Sequence, residues 1–219
     1  VDLDLRHRAQ YRDLDAAHRP RLQRTGGLLD GWPRRVEQRL SRPAAGRTKW
    51  RVVVILVMGV SGAGKTTIGR RLADELGWQF SDGDDFHPAA NLEKMRNGHA
   101  LTDVDRQPWL ERMHAAIVDR ISRNQPAVLA CSVLKASYRA IVEEGCRAHL
   151  RLVYLKGSFD LFHQRLIHRR DHFMPRELLA SQFAVLEEPA DALVIDAALP
   201  PNEIIRQIRL GIPVDAAKH

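Results

Sequence analysis

Cysteine is scarce in this chain, with two in 219 residues, and that scarcity excludes a disulfide-stapled fold and a cysteine-rich metal site. Cys131 falls in an apolar, strand-like segment and Cys146 in a helix-like one. Both are expected as buried thiols in a reducing compartment. Long apolar runs are also missing. The longest, Val52 to Met58, is far short of the ~18 residues that a membrane span needs. The arginine-rich N-terminus lacks the apolar core of a secretory signal, so the expected location is the cytoplasm. No internal repeat is visible. Excess charge is absent from most of the chain as well. The net charge is +7, but residues 1–50 hold 12 Lys+Arg against 6 Asp+Glu, and residues 51–219 hold 22 against 21. The body is thus nearly neutral, whereas a nucleic-acid enzyme more often carries a basic face on its folded domain.

Residues 1–50 have scattered prolines (Pro20, Pro33, Pro43) and no sustained apolar periodicity, with short amphipathic pieces at most around Leu22–Leu40. They are expected to form a disordered or weakly helical leader, with targeting or partner binding as the sharper alternative. From Arg51 on, strand and helix signals alternate. Strands are predicted at Val52–Met58, Trp78–Ser81, Ala127–Cys131, Leu150–Leu155 and Ala192–Ile195. Helices are predicted at Lys65–Leu76, Ala89–Arg96, Arg106–Arg123, Lys135–Glu144, Phe159–Arg169, Arg176–Leu186 and Glu203–Leu210. Such alternation specifies an α/β fold, a parallel sheet of five strands with helices on both faces. In such a sheet, ligands bind beyond the carboxyl ends of the strands. The expected layout is a leader (1–50), one domain (51–213) and a short tail (214–219).

What the chain does contain is a glycine-rich turn directly behind its most apolar strand. Gly59, Val60, Ser61, Gly62, Ala63, Gly64, Lys65, Thr66 and Thr67 read as strand, turn, then helix, which makes a phosphate cradle of backbone amides. Lys65 would reach the outer phosphates of a nucleoside triphosphate, and the Thr66 hydroxyl would ligate a Mg²⁺ held against them. Asp82-Gly-Asp84 follows the second strand at its carboxyl end. Two carboxylates there can divide the labour: Asp82 holds metal-bound water, and Asp84 takes the proton of an attacking hydroxyl. Asp85 is expected to face solvent. Asp105 is as readily a helix cap as a functional group, and Trp109 is expected in the core.

Taken together, these residues and several further runs resemble the bacterial-type gluconokinases, small P-loop kinases of sugar acids. The resemblance is carried by Met58–Thr66, Asp82-Gly-Asp84 with His87-Pro88, Glu93-Lys-Met95 and Asp103–Leu110. It continues through Cys131-Ser-Val-Leu-Lys135 with Tyr138-Arg139, Tyr154–Gly157, Arg165-Leu166 with Arg169, His172-Phe173-Met174, and Gln182-Phe183 with Leu186–Pro189. These motifs keep the family's order and spacing across residues 52–196. The resemblance implies an adenylate-kinase-like three-layer fold with a helical substrate lobe (about 84–125) and a lid (about 165–176). It also implies a homodimer that uses ATP and Mg²⁺ to phosphorylate D-gluconate at its C6 hydroxyl. The product, 6-phosphogluconate, would feed the pentose phosphate pathway. Three positions depart from the family pattern: Ala100 for a common proline, Val133 for a usual alanine, and Asp171 for a common glycine.

The chemistry of a gluconate site calls for cations at one end, hydrogen-bonding groups along the middle and a base beside the alcohol. His87, Arg106, Ser132, Lys135, Arg139 and His172 are the candidates for holding the acid, with Asp84 as the base. Lys135 and Arg139 stand four apart and share a helix face. Arg165 and Arg169, also four apart, are the candidates for stabilising charge on the transferred phosphoryl group. Glu187 and Glu188 could pair with them. Two other readings remain open at this point: a related kinase of a small hydroxy acid such as shikimate, and a catalytically silent nucleotide-binding regulator. No nucleic-acid or membrane partner is expected.

Overall fold

Val54, Leu56 and Met58 point to one side of their strand and Ile55 and Val57 to the other, yet all five are buried. A strand buried on both faces needs helices above and below it, and that requirement organises the rest of the molecule. The computed structural model describes residues 54–97, 99–168 and 176–212. The expected leader and tail, together with Arg169, Asp171 and His172 of the expected lid, lie outside the described residues.

Five parallel strands stand in the order β2-β3-β1-β4-β5: β1 (Val54–Met58), β2 (Gln79–Asp82), β3 (Ala127–Ala130), β4 (Leu150–Lys156) and β5 (Leu193–Asp196). The helices are α1 (Lys65–Leu76), α2 (Ala89–Arg96), α3 (Asp103–Ser122), α4 (Ala136–Glu143), α5 (Phe159–Ile167), α6 (Arg176–Ala184) and α7 (Pro201–Gly211). After β1 the chain builds β2 and β3 to one side, then crosses to place β4 and β5 on the other. The order therefore reverses at β1, and a crevice opens at its carboxyl end where ligands of doubly wound sheets bind.

Alternate strand residues feed two separate cores. Ile55, Val57, Val128, Val153, Leu155 and Ile195 pack with Ile68 and Leu72 of α1, Phe162 and Leu166 of α5, Leu179 of α6, and Ile204, Ile205 and Ile208 of α7. On the other face Val54, Leu56, Met58, Leu129, Leu152 and Tyr154 pack with Trp109, Leu110, Met113 and Ile117 of α3 and Val142 of α4. At ~25 cal/mol per Å² of apolar surface, these two layers are the dominant favourable term in folding.

Most element boundaries match the sequence reading to within two residues. The main difference is α3, which begins at Asp103, three residues before the expected Arg106. Thr102 caps it: the Thr102 hydroxyl accepts from the Asp105 N–H (3.2 Å), and the Asp105 carboxylate accepts from the Thr102 N–H (2.9 Å). This reciprocal capping box places Asp105 in a structural role, and Lys94 pairs with the same carboxylate at 2.6 Å. Cys131 and Cys146 are both buried and unpaired with each other, and burial pushes each thiol up to about 12. No helix among the described residues is long and apolar enough to cross a membrane.

Candidate active site

The turn from β1 into α1 has an amide-lined concavity that the chain itself does not fill. Gly64 caps α1 in a left-handed conformation (φ 93°), the helix has no side-chain cap, and no acidic residue stands in its first turn. Four N–H groups at a helix start need acceptors, and the positive end of the helix dipole favours an anion there. A Cβ placed on Gly64 would meet nothing within 4 Å, so the space above the turn is open. Gly62 is fixed by its surroundings instead. Its φ is 82°, and a Cβ would come within 2.8 Å of the Phe162 carbonyl of α5. Lys65, half-buried, donates from Nζ to the Val60 carbonyl at 3.2 Å, bringing its ammonium back over the turn.

β2 ends beside this cradle. The Thr66 hydroxyl donates to Asp82 Oδ2 at 2.9 Å, and Asp82 Oδ1 accepts from the Asp84 N–H at 3.2 Å. Asp82 thus ties the start of α1 to the one-turn 3₁₀ segment Gly83–Phe86 and fixes where Asp84 emerges, exposed at the mouth of the crevice. Gly83 has no room for a side chain. A Cβ there would lie 2.8 Å from the Ala130 carbonyl and 2.9 Å from Cys131 Cβ. The glycine between the aspartates is what lets their backbone press against the end of β3. Asp85 is exposed, as the sequence suggests.

Behind the aspartates stands an aromatic wall. Trp109 is buried, donates from Nε1 to the Gly83 carbonyl at 2.7 Å, and stacks on His87 with centroids 4.5 Å apart and planes 9° from parallel. Asn91, buried at the start of α2, donates to the Asp105 carbonyl (2.7 Å) and approaches His87 Nδ1 (3.3 Å). With that amide donating to Nδ1, the imidazole proton sits on Nε2. Burial lowers the His87 pKa, and Arg106 lowers it further against the opposing pull of Asp84. Burial of the ring thus disfavours its charged form.

Two of the sequence candidates, Arg106 and Lys135, meet with Tyr138 around one unanticipated carboxylate, Asp103. Lys135 Nζ lies 2.7 Å and 3.0 Å from the two oxygens of Asp103, the Tyr138 hydroxyl donates to Asp103, and Arg106 reaches both Asp103 (3.4 Å) and the Tyr138 hydroxyl (3.3 Å). Hydrogen bonds from Lys135 and Tyr138 hold the Asp103 pKa low, and the Asp103 bond raises that of Lys135. Ser132 stands half-buried just past β3, on the same side.

Two arginines are placed elsewhere than expected. Arg139 is buried and donates to the carbonyls of Val133 (3.2 Å) and Leu134 (3.0 Å), so it braces the loop after β3 and does not face the acceptor. That loop contains a buried Val133 with φ 29°, an uncommon conformation for a β-branched residue, and the two charge-assisted bonds help to hold it. Arg165 donates to the Ala197 carbonyl just past β5 (2.8 Å), away from the β1–β3 side of the crevice where the aspartates stand. Glu187 and Glu188 do not pair with Arg165. Glu187 accepts from the Ala136 N–H at the start of α4 (2.6 Å), and Glu188 pairs with Lys156 (2.7 Å). The sequence reading also gave no role to Gln182 of α6. Its amide accepts from the Ser61 N–H (2.7 Å) and donates to the Ser61 hydroxyl (3.0 Å), pinning the phosphate turn from the opposite side.

A family model described as shikimate kinase matches residues 61–210. A probable gluconokinase of Rattus norvegicus is 42% identical over 181 residues, which cover 75% of this chain and 94% of that relative. The chain belongs to the gluconokinase family. Among solved structures, a gluconokinase from Sinorhizobium meliloti is 42% identical with a TM-score of 0.65, covering 74% of this chain and 92% of its own. A sugar kinase from Janibacter is 38% identical with a TM-score of 0.69, covering 77% and 99%. Gluconokinase relatives with this degree of likeness make the chain a kinase, and kinases of this family use ATP. The span matched by the family model, residues 61–210, includes Gly62–Thr67, Asp82, Asp84 and Asp103.

Proposed function

We propose that this gluconokinase-family chain transfers the γ-phosphoryl group of ATP to the C6 hydroxyl of D-gluconate, giving ADP and 6-phosphogluconate. The observation that carries the reading is the Thr66–Asp82–Asp84 chain of hydrogen bonds. It ties the backbone of Asp84, whose side chain is exposed, to the start of a helix with no side-chain cap, in a chain 42% identical to a probable gluconokinase over most of its length.

Each residue then has a definite task. The amides of Gly62, Gly64, Lys65, Thr66 and Thr67 donate to the phosphate chain, and Gly59, Val60, Ser61 and Ala63 shape the turn. Lys65 leaves the Val60 carbonyl and neutralises charge on the outer phosphates. Asp84 accepts the proton of the acceptor hydroxyl as the phosphorus–oxygen bond to that hydroxyl forms and the bond to ADP breaks. The neutral His87 and Ser132 hydrogen-bond the polyol. Lys135 and Arg106 receive the carboxylate at its far end. Thr66 and Asp82 suit a Mg²⁺ site, the first by its hydroxyl and the second through water, because that ion keeps most of its water and takes few protein ligands. When bound, it would neutralise charge on the β- and γ-phosphates. Arg169 and His172 belong to this proposal through the family resemblance, as do a homodimeric assembly and a cytoplasmic location.

The test is an ATP-coupled assay of the purified chain against gluconate, other aldonic acids and shikimate. Turnover with gluconate at the highest kcat/KM supports the reading. Turnover with shikimate alone, or nucleotide binding without turnover on any acid, overturns it. Light scattering of the eluted protein decides between one and two copies.

A further inference from the structure

The acceptor end of the pocket already holds a carboxylate of the chain itself. Lys135, Tyr138 and Arg106, drawn from two helices and the loop between β3 and α4, converge on Asp103. None of these bonds is needed to fold α3, because its cap is made by Thr102 and Asp105 one step away. Asp103 contributes to the helix start only as one acidic group near the dipole, worth ~0.3–1 kcal/mol.

We propose that Asp103 is the pocket's internal counter-ion, a carboxylate that occupies the acid-binding end in the free protein and is displaced by the carboxylate of the aldonate acceptor. This inference rests on the reading of Lys135 and Arg106 as the acid-binding pair. Charge and exposure both favour displacement. Two cations face one aspartate, so a single acceptor carboxylate that takes its place leaves the charge of the cluster unchanged. Asp103 is 61% exposed while Lys135 is 27% exposed, so the aspartate sits at the solvent rim and can swing into water without burying an unpaired charge. A rim ion pair is held weakly, by ~0.2–1 kcal/mol in typical cases. An incoming carboxylate that gains binding energy from the rest of the polyol can replace it. The arrangement also explains why the two cations do not collapse elsewhere: Asp103 and Tyr138 keep them aligned for a carboxylate of similar geometry.

The experiment compares the wild-type chain with Asp103→Asn and, separately, Tyr138→Phe, which removes one donor to Asp103 without changing charge. Calorimetric binding of gluconate and steady-state kinetics are read for all three. If Asp103 competes for the site, Asp103→Asn lowers the gluconate Kd and KM, by up to about fivefold, the equivalent of the upper end of the pair energy above, with KM for ATP unchanged. Tyr138→Phe moves the gluconate constants in the same direction or leaves them unchanged. A gluconate Kd that rises in Asp103→Asn overturns the proposal and makes the residue a fixed positioning group. Failure of the wild-type chain to bind or turn over gluconate would instead defeat the functional reading beneath it, so the two failures are separable.

Discussion

Two buried tryptophans differ in one hydrogen bond, and that difference can be measured. Trp109 Nε1 donates to the Gly83 carbonyl, whereas Trp78 Nε1 is buried with no hydrogen-bond partner among the described residues. Replacing either with Phe removes the same indole volume from a core. Each substitution should therefore incur a similar cavity cost, roughly 1–2 kcal/mol. Only Trp109→Phe also deprives a buried carbonyl of its donor, adding about 1 kcal/mol. Trp78→Phe gives up an unpaired polar group, which offsets part of its loss. Urea or thermal unfolding should thus find Trp109→Phe less stable than Trp78→Phe by about 1–2 kcal/mol, or roughly 2–8 °C in Tm. Activity provides the second readout. Gly83 lies between Asp82 and Asp84, so Trp109→Phe should reduce kcat severalfold while Trp78→Phe retains wild-type turnover. Equal stabilities, or a full kcat in Trp109→Phe, would refute the argument that this indole holds the catalytic backbone in place.

Three further outcomes follow from the site geometry. Lys65→Ala should lower kcat by about 10²–10³-fold, the scale of a lost transition-state donor, with an unfolding midpoint near that of the wild type; retained turnover would remove Lys65 from the mechanism. Gln182→Leu removes both of its hydrogen bonds to Ser61 and should raise KM for ATP severalfold, about the effect of one or two hydrogen bonds, without altering KM for gluconate. An equal shift in both constants would point to general loosening of the fold. The lowered His87 pKa means that the unfolded chain binds this proton more readily than the folded one. Its contribution to stability is present above the unfolded value of 6.5 and is lost as pH falls below it. Urea midpoints from pH 7.5 to 5.0 should decline more steeply for the wild type than for His87→Gln, and parallel profiles would contradict the assignment.

The fold was readable because its signals are local and periodic. Alternating burial on both faces makes Val54–Met58 a continuous apolar run, and a helix length of apolar spacing marks α1 to its last residue. The start of α3 was harder to see, since Thr102-Asp-Val-Asp reads as a polar loop until the reciprocal bonds of Thr102 and Asp105 are drawn. The position of the glycine turn behind β1 and of the aspartate pair at the end of β2 was readable for a related reason. Their chemistry depends on residues adjacent in sequence, so the strand end and the motif together specify the geometry.

Arg139, Arg165 and Gln182 show where that logic stops. A spacing of four puts two side chains on one face of a helix, but it does not say which way the face is turned. Lys135 precedes the first residue of α4 and extends toward the crevice, while Arg139, one turn further along, is buried against the loop carbonyls it supports. Arg165 likewise lies in the last turn of α5, where packing of that helix against the sheet brings it to the end of β5. Gln182 meets Ser61 across 121 residues of sequence, a separation at which no local pattern operates. Around Asp103 the cations were legible and the carboxylate was not, because a search for groups that attract an anion gives no reason to look for an aspartate among them. Asp103 stands among them because two cations brought close need a counter-ion: its carboxylate accepts from both Lys135 and Arg106 and so holds the two positive groups near one another.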